Sequence, residues 1–499
     1  MNISANEQRF MTTPFGIGAA ITATVLLMAI PLFRGLSDVP IILMFSAAIF
    51  SLCFVATRVI AEKRFGLFVL VFIFYHIFFL ILPGSLHIAR GYFPFYGMRY
   101  SEAVVFQASA IVSIWCVGYA VGFAWHARKD QIVGLRQGVV LSNTKYATGA
   151  IMAYAVVLMA IALTLVLQNG LEMFTTRRLV DGAEAFDTRS VSSQIIFNIV
   201  RLSTFTAAML SLVIARREKT AVAIALAAIA VPFFILVNPI NGIPRYYLFG
   251  YIFAFAFVFV DFSVSWKKMI FLGGLIFGLF ILFPLANFIS RGTERDLLSF
   301  NPVEYYAESG DYDGLQSVAN VANIVEADGL SYGYQLLGVP LAIVPRSSWP
   351  AKPVPTGEWA AKKNGYRYTN ISSPIASEVF IDFWWGGIII LSIGFGYFSS
   401  WLDILSVRKR REQDLWLPAL LGILVGFETI VLRGSLMGAS TPVGLAIVLM
   451  AIPGLMRMKK TTPARPAGIK IQSDEQANRT GRQRVLALQK GADSTSSVN

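Results

Sequence analysis

The chain has 499 residues, 56% of them hydrophobic and only 14% charged, with a mean hydropathy of +0.62. That composition excludes an ordinary soluble domain and describes a polypeptide whose solvent is mostly lipid. Its net charge of +13, from 42 Lys and Arg against 29 Asp and Glu, does not imply nucleic acid, because the short basic loops and the tail after Arg457 hold most of it.

A polar leader, residues 1–14, is expected to be cytoplasmic. Runs long enough to cross a bilayer core, about 17–25 residues each, follow at 15–33, 40–57, 66–84, 103–124, 147–167, 194–215, 221–237, 246–262 and 268–286. The first lacks a small-residue cleavage site and is read as a retained helix. A long polar segment, 287–378, comes next, and three further runs at 379–405, 416–434 and 440–456 complete an expected all-α polytopic membrane protein of about twelve spans.

Every second loop is basic. Arg58, Lys63 and Arg64 follow the second span; Arg128, Lys129, Arg136 and Lys145 the fourth; Arg216, Arg217 and Lys219 the sixth; Lys267 and Lys268 the eighth; Arg408 to Arg411 the tenth. Cytoplasmic loops retain Lys and Arg, so both termini are expected in the cytoplasm and 287–378 outside. Residues 457–499, with Arg465, Arg479, Arg482, Arg484 and Lys490 among small polar residues, read as a disordered tail attracted to anionic lipid headgroups.

Little of the usual catalytic vocabulary is present. Cys53 and Cys116 give no disulfide framework or metal spacing. His76, His87 and His126 have no second ligand at metal spacing, so no metal is expected and His76 reads as a hydrogen-bonded packing residue. There is no phosphate-binding glycine loop and no Gly-x-Ser-x-Gly elbow. Charge within the apolar runs is more informative, because it is costly there and commonly marks a cavity. Arg201 and Glu428 each fall on the order of 10 Å below the expected outer surface; they could share a pocket or form a structural ion pair. Arg245 and Arg433 sit at expected outer span ends, where cations are few. Snorkelling is their ordinary explanation. With Arg201, Arg291 and Arg346 they place five guanidinium groups on one face, and such planar forks match phosphate oxygens in pairs.

The long segment also holds Tyr305, Tyr306, Tyr312, Trp349, Trp359, Tyr366 and Tyr368, with Asp311, Asp313, Asn320 and Asn323 between them. Aromatic faces beside carboxylates and amides suit a sugar, although aromatics are also enriched at any membrane boundary. Leu336 to Val344 is too short to span and is expected to be re-entrant or surface-lying.

The chain resembles the Wzy-type O-antigen and exopolysaccharide repeat-unit polymerases. The resemblance lies in Asn238-Pro-Ile-Asn-Gly-Ile-Pro-Arg245 opening a helix, in Pro345-Arg346-Ser-Ser-Trp349-Pro-Ala-Lys352-Pro353, and in Ser377-Glu378-Val-Phe-Ile-Asp-Phe-Trp-Trp-Gly386-Gly387. It covers roughly 190–440. It implies a membrane glycosyltransferase of the C-type fold at the outer face of a bacterial inner membrane. Such an enzyme joins undecaprenyl-diphosphate-linked oligosaccharides without metal, cofactor or nucleotide sugar, in the company of a chain-length regulator and a flippase.

The ligases of that fold carry a histidine before the helix that follows the large loop; here Glu378 occupies that region. Cleaving a glycosyl diphosphate develops negative charge on the leaving group, which fixed cations stabilise, and a carboxylate can take the proton of the attacking hydroxyl. The expected catalytic residues are therefore Glu378, Arg346 and Arg291. Arg201, Arg245, Arg433 and Lys352 are expected to bind the diphosphate, and Tyr312, Asp313 and Trp349 the sugar. Glu428 is a charge partner, and Glu428 and Asp313 are alternative bases. A ligase-like glycosyltransferase and a lipid-linked oligosaccharide flippase remain open as alternatives.

Overall fold

Long apolar runs with few interior breakers fold as helices, since no other open structure satisfies its own backbone in lipid. The computed structural model describes residues 38–61, 66–134, 147–175, 191–239, 243, 245–262, 264–282, 302–342, 344–411 and 416–456. The chain divides into two units, Met1–Arg457 and Met458–Asn499, and every described residue belongs to the first. The expected span 15–33, Arg291 and the basic tail lie outside the described residues.

Thirteen helices carry the argument: α1 Val39–Ala61, α2 Leu67–Arg90, α3 Glu102–Gly134, α4 Thr148–Asn169, α5 Val191–Glu218, α6 Ala221–Val237, α7 Arg245–Phe259, α8 Ser265–Phe277, α9 Gly314–Asp328, α10 Thr356–Lys363, α11 Ile375–Arg411, α12 Trp416–Arg433 and α13 Leu436–Leu455. No strand occurs among the described residues. The protein is an all-α membrane protein. Among the described residues, seven helices are long and apolar enough to cross a membrane, namely α1, α2, α3, α4, α5, α11 and α13. Helices also stand at the other expected spans within the described residues, but α6 and the apolar part of α7, Tyr247–Phe259, are shorter.

Helix α2 is apolar on all sides and accordingly central, with 94% of its most apolar window buried. Around it the close crossings are made by glycine. A Cβ on Gly122 would stand 1.9 Å from the Ile393 carbonyl oxygen of α11, and one on Gly396 would stand 2.0 Å from the Tyr119 carbonyl oxygen of α3. Gly426 of α12 meets Gly250 of α7 in the same way, at 2.1 Å. These are small-residue seams that let helix backbones touch, as in lipid, where no hydrophobic force separates helix from tail.

Lys268, expected in a basic loop, is instead fully buried on α8. Its Nζ donates to the Val59 carbonyl at 2.5 Å, beside Ser265 Oγ donating to Ile60 at 2.7 Å. Two side chains of α8 thus close the C-terminal turn of α1, where carbonyls lack intrahelical donors.

The segment after α8 is folded into the bundle. Helix α9 is buried on every face from Gly314 to Ala322 and packs on α2, α3, α10 and α11. Two glycines allow this: a Cβ on Gly314 would meet the Phe79 carbonyl at 2.8 Å, and one on Gly84 would meet Leu315 at 2.4 Å. Opposite them α2 makes one wide π turn, His76–Ile81. The Phe78 carbonyl in that turn accepts a hydrogen bond from the Tyr306 hydroxyl. Such turns displace the regular backbone pairing, and here the segment after α8 supplies the partner.

Helix α11 is broken at Trp384, whose φ of 53° and ψ of −150° leave the helical region. For a non-glycine residue this backbone costs about 1–3 kcal/mol and persists only where its surroundings hold it. The break separates a short lead-in, 375–383, from the long helix beyond it.

Candidate functional site

The site forms where α12 turns into α13. Arg433 ends α12, Gly434 donates to the Ile430 carbonyl, and Ser435 opens α13, so the chain reverses within three residues. The stretch leading into α11 clasps this corner. Ser373 N–H donates to the Arg433 carbonyl at 3.0 Å, while the preceding Ser372 N–H donates to Asp313 Oδ2 at 3.0 Å. Two successive amides thereby bring the start of α9 and the end of α12 together.

Asp313 is only 1% exposed. Its Oδ2 also accepts from Ser317 Oγ at 3.4 Å, and Ser317 and Ser372 hydroxyls bond at 3.0 Å. Its Oδ1 has no hydrogen bond and lies 3.7 Å from the Arg433 guanidinium, which is 35% exposed. Burial pushes the Asp313 carboxyl up, with Arg433 and the bonds from Ser372 pulling against it. The buried Tyr75 hydroxyl, from α2, also lacks a hydrogen bond and feels both charges. Tyr368 and Asp311 complete the electrostatic neighbourhood. A buried carboxylate oxygen and a buried phenol, neither with a hydrogen bond, thus lie within electrostatic range of one part-exposed arginine side chain. Unspent capacity is uncommon, because buried polar groups are nearly always paired.

Glu378 does something else. Both its carboxylate oxygens lie 3.1 Å from Leu436 N, so it caps the N-terminus of α13. One helical turn on, Asp382 accepts from Leu336 N at 2.8 Å and Gln335 N at 3.3 Å, capping the short helix Tyr334–Leu337. The i, i+4 spacing sets both carboxylates on one face, and each satisfies orphan N–H groups of another helix.

The resemblance-bearing Arg346 and Lys352 are likewise committed. Arg346 donates to the carbonyls of Lys352 at 2.7 Å and Pro353 at 3.0 Å; Lys352 donates back to those of Ala342 at 2.6 Å and Val344 at 2.9 Å. Desolvation and the nearby Arg346 push the Lys352 ammonium down. The two cations tie the segment 342–353 into a closed turn, in place of the free cationic clamp expected from sequence. Trp349 stands edge-on to Tyr334 at 6.2 Å and is partly accessible.

Tyr312, expected on a sugar-binding surface, is 1% exposed, packed on Tyr306 at 4.5 Å and Phe79 at 5.4 Å, with its hydroxyl donating to the Leu279 carbonyl. It is a core residue. Asn320 and Gln316 are also buried: Asn320 Oδ1 accepts from Tyr100 at 2.6 Å and Tyr366 at 3.0 Å, and Gln316 exchanges a pair of bonds with the Phe95 backbone and donates to the Tyr366 hydroxyl at 3.2 Å. These amides fasten the 93–100 turn to α9.

Arg201, buried on α5, lies over the rings of Phe197 at 5.0 Å and Tyr247 at 6.0 Å. Glu428, buried on α12, is in electrostatic range of Asp403, and among the described residues it makes no ion pair with Arg201. Of Arg245 only the backbone, opening α7, is described. His76 Nδ1 donates to the Phe72 carbonyl at 2.8 Å, the packing role expected of it.

The structure therefore brings together Asp313 and Arg433 of the sequence reading, with Tyr368 and Asp311 in electrostatic range, and adds Tyr75 and Ser372. Tyr75 carried no signal, being one aromatic in an apolar helix. Ser372-Ser373 before Pro374 was a weak one, since adjacent serines before a proline suit an extended clasp. No family model, no curated protein and no solved structure matches this chain.

Proposed function

We propose that the chain polymerises undecaprenyl-diphosphate-linked oligosaccharide repeat units into a bacterial surface polysaccharide. In this reading about twelve spans cross the inner membrane, both termini are cytoplasmic, and 287–378 faces outward. The growing glycan moves from its diphosphate carrier to a sugar hydroxyl on the next lipid-linked unit, with no metal or nucleotide sugar.

The observation that carries the proposal is the Asp313–Arg433 pair, a buried carboxylate and a part-exposed guanidinium with open valences at one corner of the bundle. A guanidinium fork matches a diphosphate, and placed at low dielectric it stabilises the charge that develops as the glycosyl bond breaks. Arg433 takes the place in this chemistry that sequence gave to Arg346, two of whose five N–H donors hold the Lys352 and Pro353 carbonyls. Arg291 and Arg245 remain candidates for the same anion. The motifs resembling the polymerases flank this corner, at Arg346–Pro353 and Ser377–Gly387.

A deletion strain tests the reading through its lipid-linked glycans. Accumulated single repeat units on the carrier support a polymerase. Finished chains left on the carrier indicate a ligase instead, and units trapped on the cytoplasmic side a flippase.

A further inference from the structure

The polymerase reading, on which this inference rests, needs a group to take the proton of the attacking hydroxyl. Glu378 lies in the region that the resemblance offers for it, but both its oxygens lie on Leu436 N–H, with the hydroxyls of Ser435, Thr356 and Ser373 in reach. Protonating it would remove the negative charge that faces the N-terminus of a twenty-residue helix. Asp382 is occupied in the same manner by Leu336, Gln335 and Ser331.

Asp313 differs from both. One oxygen is anchored by Ser372 N–H and Ser317 Oγ, which fixes the carboxylate plane, and the other has no hydrogen-bond donor although the residue is buried. The unused oxygen points to the side where Arg433 stands, 3.7 Å away and part-exposed, with the unpartnered Tyr75 hydroxyl close by.

We infer that Asp313 Oδ1 is the proton acceptor for the incoming sugar hydroxyl, and that Arg433 holds the leaving diphosphate beside it. The hydroxyl oxygen forms a bond to the anomeric carbon, and its proton passes to Oδ1. The bond from that carbon to the diphosphate oxygen breaks, its electron pair leaving with undecaprenyl diphosphate against the Arg433 guanidinium. The acid returns its proton to water once product leaves.

The groups acting on Asp313 set the pH behaviour. Burial and Asp311 disfavour the carboxylate; Arg433 and the bonds from Ser372 favour it, and Tyr75 and Tyr368 are the other titratable groups that act on it or on Arg433. A base must be ionised, so turnover falls as pH drops through the Asp313 pKa, which burial has raised.

The test uses the full-length protein in proteoliposomes with purified lipid-linked repeat units. Asp313→Asn keeps the anchored oxygen as an acceptor for Ser372 N–H and removes only the base. It is expected to lose about 10²–10⁴-fold in turnover, to melt near the wild type, and to lose the acid limb of the pH profile from any residual activity. Glu358→Gln, at a partly exposed partner of Lys362, is expected to match the wild type. A wild-type protein that makes no polymer in this assay removes the polymerase reading itself. A wild type that polymerises beside an Asp313→Asn variant within tenfold of it overturns the inference alone.

Discussion

Replacing Glu378 separates a helix cap from a catalytic base. Its side chain is 2% exposed and both oxygens share the Leu436 N–H at 3.1 Å, which counts as one charge-assisted bond at the N-terminus of α13. Glu378→Gln keeps a carbonyl oxygen for that N–H and loses the charge, which at a partly buried helix end is worth up to about 2 kcal/mol. Glu378→Ala leaves the N–H without an acceptor and costs about 1–3 kcal/mol for the unmet donor. Removal of a base would appear elsewhere, as a loss of about 10²–10⁴ in rate at little cost in stability. Thermal unfolding in detergent, followed by tryptophan fluorescence, is to be set beside polymer yield per folded molecule. The Gln variant should melt somewhat lower and polymerise at close to the wild-type rate, and the Ala variant should melt lower still. A Gln variant that melts with the wild type yet makes no polymer would refute the capping argument and return Glu378 to the active site.

Other consequences are testable apart from the reaction. Gly122→Val and Gly396→Val push side chains into opposing carbonyls at about 2 Å; overpacking of this kind costs about 1–3 kcal/mol or more and should lower the melting temperature. Gly394→Val, where a Cβ meets nothing within 4 Å, should be nearly neutral in the same measurement. Arg346→Ala removes two donors to the Lys352 and Pro353 carbonyls and should speed proteolysis and amide exchange across 342–353, with Arg346→Lys intermediate; unchanged exchange would mean the turn holds without the fork. For topology, Ser348→Cys should react with a membrane-impermeant thiol reagent in intact cells and Arg408→Cys should not, both sites being exposed. Reproducible labelling at 408 would overturn the orientation drawn from the basic loops.

Sequence by itself determined that this is a helical membrane protein, because hydropathy is a property of each run and lipid leaves a long apolar run little choice but helix. It also fixed roughly where the helices begin and end, and placed Cys53, Cys116 and His76 in helix interiors, where they lie buried. Charge was legible as a list and illegible as a set of roles. Lys268 reads as a loop cation and is a buried cap; Arg346 and Lys352 read as a clamp and bind backbone carbonyls; Glu378 reads as a base and caps a helix. In each case the partner is a main-chain group, and every residue type has those, so no residue pattern announces them. Asp313 and Arg433 are 120 positions apart in sequence. They meet because Gly84 and Gly314 let α9 sink against α2 while Ser372 and Ser373 clasp the α12–α13 corner. Such contacts depend on close backbone approach and long-range pairing, and only the folded chain decides them.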